Sequence, residues 1–400
     1  MNNSLEKLYS IGSKDARIII GLMSGTSLDG LDVALCEISG NGTKTKFSLL
    51  RFETVNYNAD YKEEVRTIFS KENISLEKLC LLNKWIGLQH AAIINDCLHK
   101  WKIPKESVDL IASHGQTIYH APEHLHKNKK FGNGTLQIGD GDHIALNTGI
   151  ITISDFRQKH IAAGGEGAPL AAYGDFILFA EKEKDTILLN IGGIANFTFL
   201  PAGAAFNKII CSDIGPGNTM MDAWMQKHFP GKFFDEDAAI ARKGTCSMAL
   251  LTELKRNTFF DLPFPKTTGP ELFNLVYLKN AMIKSNTKHI TVADIMATLN
   301  QFTAGIIAEA IIKVTKGKKN LKVLVSGGGM HNSLLAENIK KNIKGIMIQS
   351  TREKGIDADA KEAILFAILA NEAVAGNGNN FGEGSKHYPA ITMGKISFPG

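Results

Sequence analysis

The residues richest in chemistry in this 400-residue chain are Ser24, Gly25, Thr26, Ser27, Asp29 and Gly30, gathered in one short turn. Two glycines leave backbone N–H groups unobstructed, and Thr26 and Ser27 add hydroxyl donors. Convergent neutral donors without side-chain bulk suit a phosphate chain. An ordinary hairpin with a Gly/Ser/Thr-rich loop has the same spacing, because short glycine motifs are common. A second candidate is Asp213, in Asp213-Ile214-Gly215-Pro216-Gly217-Asn218. An Asp at a strand end before small residues can face a cleft as a general base, or can cap the turn. Ser113-His114-Gly115-Gln116-Thr117 follows the apolar run Val108 to Ala112. That puts His114 and Gln116 where open α/β sheets hold ligands, although His114 bonded within its loop is an equal alternative. Gly327-Gly328-Gly329 permits a backbone approach to a phosphate or a flat ring. The segment Gly164 to Leu170, with Gly165 and Glu166 at its centre, is poor core material and reads as a loop shaped around a ligand. Asp155 and Arg157 nearby form either an ion pair or ligand contacts. Glu362 falls in the first turn of a helix, where dipole stabilisation competes with metal or water positioning.

These residues need elements to hold them. Ile18 to Leu22 and Val33 to Ile38 read as strands on either side of the first turn. Ile187 to Leu200 repeats that plan around Gly192-Gly193. Two such hairpins about 170 residues apart imply a duplicated domain, each copy opening with a phosphate-facing turn and a nucleotide cleft between them. Ser75 caps a helix reaching Lys102, and Pro104 stops it. Short strands are expected at Leu136 to Asp142, Ile150 to Ser154, Ile209 to Ser212 and Leu321 to Ser326. Thr291 with Asp294 makes a capping box for a long helix to Val314. Gly355 to Ala360 is a loop feeding the Glu362 helix, with Asp357 and Asp359 near its start. The expected division is residues 1–180 and 181–375, with 376–400 returning to the first domain.

Composition narrows the function classes. A hydrophobic content of 44% with 21% charged residues is that of a globular protein of two ordinary domains. The formal charge of +5 is modest, and the Lys127–Lys130 and Lys316–Lys319 clusters lack interleaved aromatics, so no nucleic-acid role is expected. Five scattered cysteines with no Cys-x-x-Cys pair argue for reduced thiols, against a disulfide framework and against a zinc site. His120, His124 and His126 lack a carboxylate or thiol at useful spacing and read as an exposed loop, so no protein-built metal site is expected. No apolar run reaches membrane-spanning length and no secretory leader is apparent. A cytoplasmic protein without membrane partners is expected. Gly-x-x-x-x-Gly-Lys-[Ser/Thr], Gly-x-Gly-x-x-Gly, His-Glu-x-x-His and Gly-x-Ser-x-Gly are all missing.

Taken together, Gly21–Asp32, Ser113–Thr117, Ser154–Leu170, Leu189–Asn196, Asp213–Trp224, Lys266–Asn274, Val325–Asn332 and Gly355–Ala363 resemble the anhydro-N-acetylmuramic acid kinase family. That family belongs to the sugar kinase, Hsp70 and actin superfamily. The resemblance implies an α/β fold of two duplicated actin-like, ribonuclease H-like domains around an ATP cleft. It implies cleavage of the 1,6-anhydro bridge of the sugar with phosphorylation of O6, giving N-acetylmuramic acid 6-phosphate in cell-wall recycling. ATP and Mg²⁺ are the implied cofactors, an amino sugar the partner, and a homodimer is compatible. Residue by residue, Gly25, Thr26, Ser27, Leu28, Asp29, Gly30, Leu31 and Asp32 would form the ATP phosphate loop, approached by Gly327, Gly328 and Gly329. Asp213 would be the general base, and Glu362 an acidic residue near metal or water. His114, Gln116, Arg157, Gly165 and Glu166 would border the sugar. Glu166 stands where Gln is expected, Pro270 where Arg is usual, and Gly139-Asp140-Gly141-Asp142 replaces a Gly-Asn/Asp-Pro turn. Gly21 lies where many members of the wider superfamily carry a strand Asp. The alternatives are an ordinary sugar kinase and a nucleotide-binding actin-like protein without catalysis.

Overall fold

The computed structural model describes residues 3–203, 206–318, 321–343, 346–350, 360–377, 381, 383–385 and 387–400. Its strands, in chain order, are β1 (Ala16–Ser24), β2 (Gly30–Ser39), β3 (Lys46–Asn56), β4 (Leu110–Ala121), β5 (Gly134–Ile138) and β6 (Thr152–Ser154), then β7 (Asp185–Ile191), β8 (Ile194–Leu200), β9 (Ile210–Pro216), β10 (Leu321–Ser326), β11 (Met347–Ser350) and β12 (Lys395–Ser397). They form two sheets among the described residues, ordered β12-β6-β4-β1-β2-β3 and β11-β10-β7-β8-β9, with β5 added to β4.

The plan of the two sheets is the same. In each, three consecutive strands form an antiparallel meander, and the first of them then takes a parallel neighbour from later in the chain. Ile19 pairs with Leu110 in the first sheet, and Leu321 with Asp185 in the second. A further parallel strand follows in each, β6 on β4 and β11 on β10, and in the first sheet β12 adds antiparallel to β6. This is the duplicated α/β fold expected from the repeated hairpins. The parallel centre explains the unbroken apolar runs: Ile19 and Ile20 on β1, and Ile187 and Leu189 on β7, are all buried.

The chain divides into two compact units, Met1–Leu178 with Ala205–Asn207 and Gly355–Gly400, and Phe179–Ala204 with Lys208–Lys354. The return to the first unit therefore comes at Gly355, not at 376. Its reason is the helix Lys361–Ala375, which packs on β1, β2 and β4 and is buried from Ala363 to Glu372. The Ala363 carbonyl lies so close to Gly21 that any Cβ there would collide with it. Gly21 thus serves helix–strand contact. The expected loop from Gly355 to Ala360, with Asp357 and Asp359, lies outside the described residues except for Ala360.

Local signals set the other helices. Ser75 Oγ accepts the Lys78 N–H at 3.2 Å at the start of the helix Leu76–Trp101, which ends on Lys102 in the left-handed region. Thr291 and Asp294 make a reciprocal capping box on the helix Val292–Thr315. That helix is long and apolar enough to cross a membrane, but 83% of its most apolar window is buried within the second unit.

Two strands run further than the sequence suggests. β4 continues through Ser113 to Ala121, so His114 and Gln116 lie within the strand and not beyond it. Gly115, at φ 75°, absorbs the irregularity, and from Gln116 onward β5 supplies pairing. β9 likewise carries Asp213 inside the strand, opposite Asn196.

Candidate active site

In the first unit the β1–β2 turn is held from below and open above. Gln116, fully buried, accepts the Ser24 hydroxyl at 2.5 Å and directs its amide N–H to the Gly25 carbonyl at 3.4 Å. Leu28, at φ 59°, drops its side chain into the core and closes the turn through its N–H to Gly25 O. Gly25 keeps ordinary space where a Cβ would be, and Thr26, Ser27 and Asp29 are exposed. Neutral donors thus crowd an accessible tip whose backbone is fixed. Gln116 positions this turn and has neither end left for a sugar.

Beside it, the Arg157 Nε–H donates to His114 Nε2 at 2.9 Å and Nη1 to the Gly167 carbonyl at 3.3 Å. His114 is buried against the Phe366 ring, and burial with the adjacent guanidinium pushes its pKa down to about 3. It is therefore a neutral acceptor that aims Arg157. Burial lowers the Arg157 pKa, and the charge of Glu362 partly offsets this. Glu362 itself is reached by solvent on the first turn of its helix. The protein around it withholds hydration and raises its pKa, Lys361 and Arg157 counteract, and Asp32 raises it further. Asp32 also accepts the Thr54 hydroxyl at 2.6 Å.

The glycine loop is built on His160, a residue with no distinguishing sequence pattern. Gly165 lies against its ring so closely that a Cβ would overlap it, and Gly167 N–H donates to Nδ1 at 2.9 Å. Asn133 holds the Gly165 carbonyl at 3.1 Å. Glu166 is half-exposed, its nearest charge partner being His124 at 3.6 Å. Asp155 pairs with Lys395 on β12 at 2.5 Å. In the Gly139–Asp142 turn, Asp140 caps the helix Gly141–Thr148 through the Asp142 N–H.

In the second unit Asp213 is half-buried and clamped. Its own N–H donates to Lys266 O, and the Thr268 N–H donates to its Oδ2, both at 2.9 Å. Lys266 N–H donates to Ser212 Oγ at 2.9 Å, and the Lys266 ammonium anchors the segment on the Phe259 carbonyl at 2.8 Å. Burial raises the Asp213 pKa, the Thr268 bond opposes this, and Glu271 raises it again. A carboxylate kept more basic than usual, with one oxygen fixed, is suited to accept a proton.

Gly327 and Gly329 are demanded by packing. Side chains there would strike Asn190 and Ile191, and Gly327 has φ 86°. Gly328 between them is exposed, and a side chain there would meet open space, with Asn218 Nδ2 4.0 Å from its Cβ. That leaves one glycine of three free for a ligand. In the Gly192-Gly193 turn both carbonyls are tied down, although Gly193 is exposed: Gly192 O accepts Asn218 N–H, and Gly193 O accepts Gly217 and Thr219 N–H, at 2.8 to 3.1 Å.

The family model for anhydro-N-acetylmuramic acid kinase matches residues 17–398. The chain belongs to the anhydro-N-acetylmuramic acid kinase family. A relative of that name from Pseudoalteromonas atlantica is 53% identical over 100% of both chains. Another, from Caldanaerobacter subterraneus, is 38% identical over 98% of this chain and 100% of its own. Among solved structures, component A of the Acidaminococcus fermentans (R)-2-hydroxyglutaryl-CoA dehydratase is similar at 13% identity and a TM-score of 0.40. That match covers 90% of this chain and 99% of the other.

Within this family frame, the structure gathers His114, Arg157, Glu362 and the Gly165–Gly167 backbone in the first unit. It gathers Asp213 with Thr268 and Glu271 in the second. Thr268 and His160 were not among the sequence candidates. Their roles depend on a backbone N–H and a ring face, and neither leaves a spacing signature.

Proposed function

We propose that this chain transfers the γ-phosphoryl group of ATP to O6 of 1,6-anhydro-N-acetylmuramic acid while water opens the anhydro bridge, with Asp213 as general base. Kinase activity itself comes with family membership, as does a place in peptidoglycan recycling. The observation that carries the residue assignment is the Asp213 carboxylate, fixed at Oδ2 by Thr268 and raised above the ordinary Asp range by burial.

In this reading Asp213 takes a proton from water as the water oxygen bonds to C1. The C1–O6 bond breaks, and its electron pair stays on O6. That oxygen bonds to the γ-phosphorus, the bond to the β-phosphate oxygen breaks, and ADP leaves. Asp213 then returns its proton to solvent. The open turn Gly25–Asp32 and exposed Gly328 offer backbone and hydroxyl donors to the phosphates. Arg157, aimed by His114, and the Gly165–Glu166 backbone hold sugar oxygens.

Among the described residues no group of three His, Cys, Asp or Glu side chains could hold a metal ion. A magnesium ion needs only one or two carboxylates beside phosphate oxygens and water, and Asp32 with Glu362 fits that donor set. When bound, the ion would spread the phosphate charge.

The test is phosphate transfer to the anhydro sugar compared with free N-acetylhexosamines. A strong preference for the anhydro sugar supports the reading. Equal or better transfer to free hexosamines would make the chain an ordinary sugar kinase.

A further inference from the structure

Beneath the β1–β2 turn lies a chain of buried polar groups that the reaction above does not use. Ser24 Oγ donates to Gln116 Oε1 at 2.5 Å, Tyr57 Oη donates to Ser24 Oγ at 2.8 Å, and His90 Nε2 lies 3.1 Å from Tyr57 Oη. Gln116 Nε2 then donates to Gly25 O. Ser24, His90 and Gln116 are each at most 1% exposed, and Tyr57 is 6% exposed.

The donor count sets the direction of the chain. Each hydroxyl has one proton, and Tyr57 has given its own to Ser24, so the His90 contact requires Nε2–H as donor. Nδ1 is then a lone-pair acceptor, consistent with its having no hydrogen-bond partner. Burial pushes the His90 pKa down to about 4, so the ring is neutral near pH 7. The opposite tautomer would bury an unpaired Nδ1–H. Tyr57 also grips the far side of the turn, its backbone N–H donating to Asp29 O at 3.0 Å. Stacking on Tyr61, with ring centroids 3.7 Å apart, fixes its ring.

We propose that Tyr57 and His90 are positioning residues for phosphoryl transfer, orienting the Gly25–Asp29 turn through Ser24 and Gln116. This rests on the reading of that turn as the phosphate loop. The chain is directed, so deleting a link loosens Gln116 and leaves the Gly25 carbonyl to the Leu28 N–H, at 3.4 Å, with more freedom to turn toward the phosphates, which it repels.

The test is steady-state kinetics with both substrates on the full chain, with thermal unfolding measured alongside. Tyr57→Phe keeps the ring stack and the backbone bond and removes one hydroxyl. It is expected to raise the ATP KM about fivefold or more, with the sugar KM within about twofold of the parent. His90→Leu should do the same, and His90→Gln, which restores an N–H donor, should recover most of the loss. Val65→Ala, a truncation in the same core, controls for stability and should leave the ATP KM unchanged. An unchanged ATP KM in Tyr57→Phe, or an equal rise in Val65→Ala, overturns the proposal. The double variant Thr26→Ala, Ser27→Ala separates the two claims. A raised ATP KM there with none in Tyr57→Phe rejects the relay alone, and no rise there rejects the phosphate-loop reading itself.

Discussion

The two units open with the same hairpin and use it in opposite ways. In the first, the turn from Gly25 to Asp29 is long and exposed at its tip, and it is tied down only from beneath by Gln116 and Tyr57. In the second, Gly192 and Gly193 make a two-residue turn whose carbonyls are consumed by Gly217, Asn218 and Thr219. The catalytic carboxylate candidate, Asp213, sits on β9, the third strand of that meander. At the matching end of the first unit the turn itself stays open for a ligand. One frame thus appears twice, and under the proposed reading one copy supports the base while the other cradles the phosphates.

The largest effect should come from the rigid side. Asp213→Asn keeps an acceptor for the Thr268 N–H and removes the basic oxygen. Turnover should fall about a thousandfold while ATP still binds, as measured by steady-state rates and titration calorimetry. Near-normal turnover would move the base elsewhere.

A pair of glycine substitutions sharpens the contrast between the turns. Gly217→Ala drives a Cβ into the Gly192 carbonyl and should cost about 1–3 kcal/mol of stability, read as a lower unfolding midpoint. Gly25→Ala meets only Ser27 Oγ, at 3.6 Å, so the midpoint should hold while the ATP KM rises about tenfold. The reverse pattern would exchange the roles of the two turns.

The pH profile tests the environment of the base. Asp213 must be ionised to accept a proton, and its folded pKa is raised, chiefly by burial. Activity should therefore fall on acidification through a midpoint above that of an ordinary Asp, and this limb should vanish from the residual rate of Asp213→Asn. The smallest effect is expected for Glu166→Gln. Its side chain is half-exposed with one distant partner, so the sugar KM should change less than about threefold.

What the sequence revealed follows the range of the interactions involved. The hairpins, the Ser75 cap and the Thr291–Asp294 box depend on neighbours within a few residues, and each is visible as a local pattern. Gly21 is not, because the carbonyl that forbids a side chain there belongs to Ala363. Gln116 reads as a ligand contact, and only its bonds to Ser24 and to the Gly25 carbonyl make it a brace. The three glycines at 327–329 look alike in sequence, yet packing against Asn190 and Ile191 claims two and frees Gly328. His160 and Thr268 act through a ring face and a main-chain N–H, which leave no mark on residue spacing. The return of the chain to the first unit is hidden for a similar reason: the burial of the helix Lys361–Ala375 against β1 cannot be told from burial against another sheet by its apolar content.

The central claim is that one active centre couples water attack at C1 to phosphorylation at O6. Its most direct test is transfer from ATP to 1,6-anhydro-N-acetylmuramic acid in ¹⁸O-labelled water, quenched before anomeric exchange and read by mass spectrometry. The account predicts a 6-phosphorylated product carrying the heavy oxygen at C1, formed in step with ADP and lost in Asp213→Asn. A phosphorylated product without the label, its anhydro bridge intact, would contradict it.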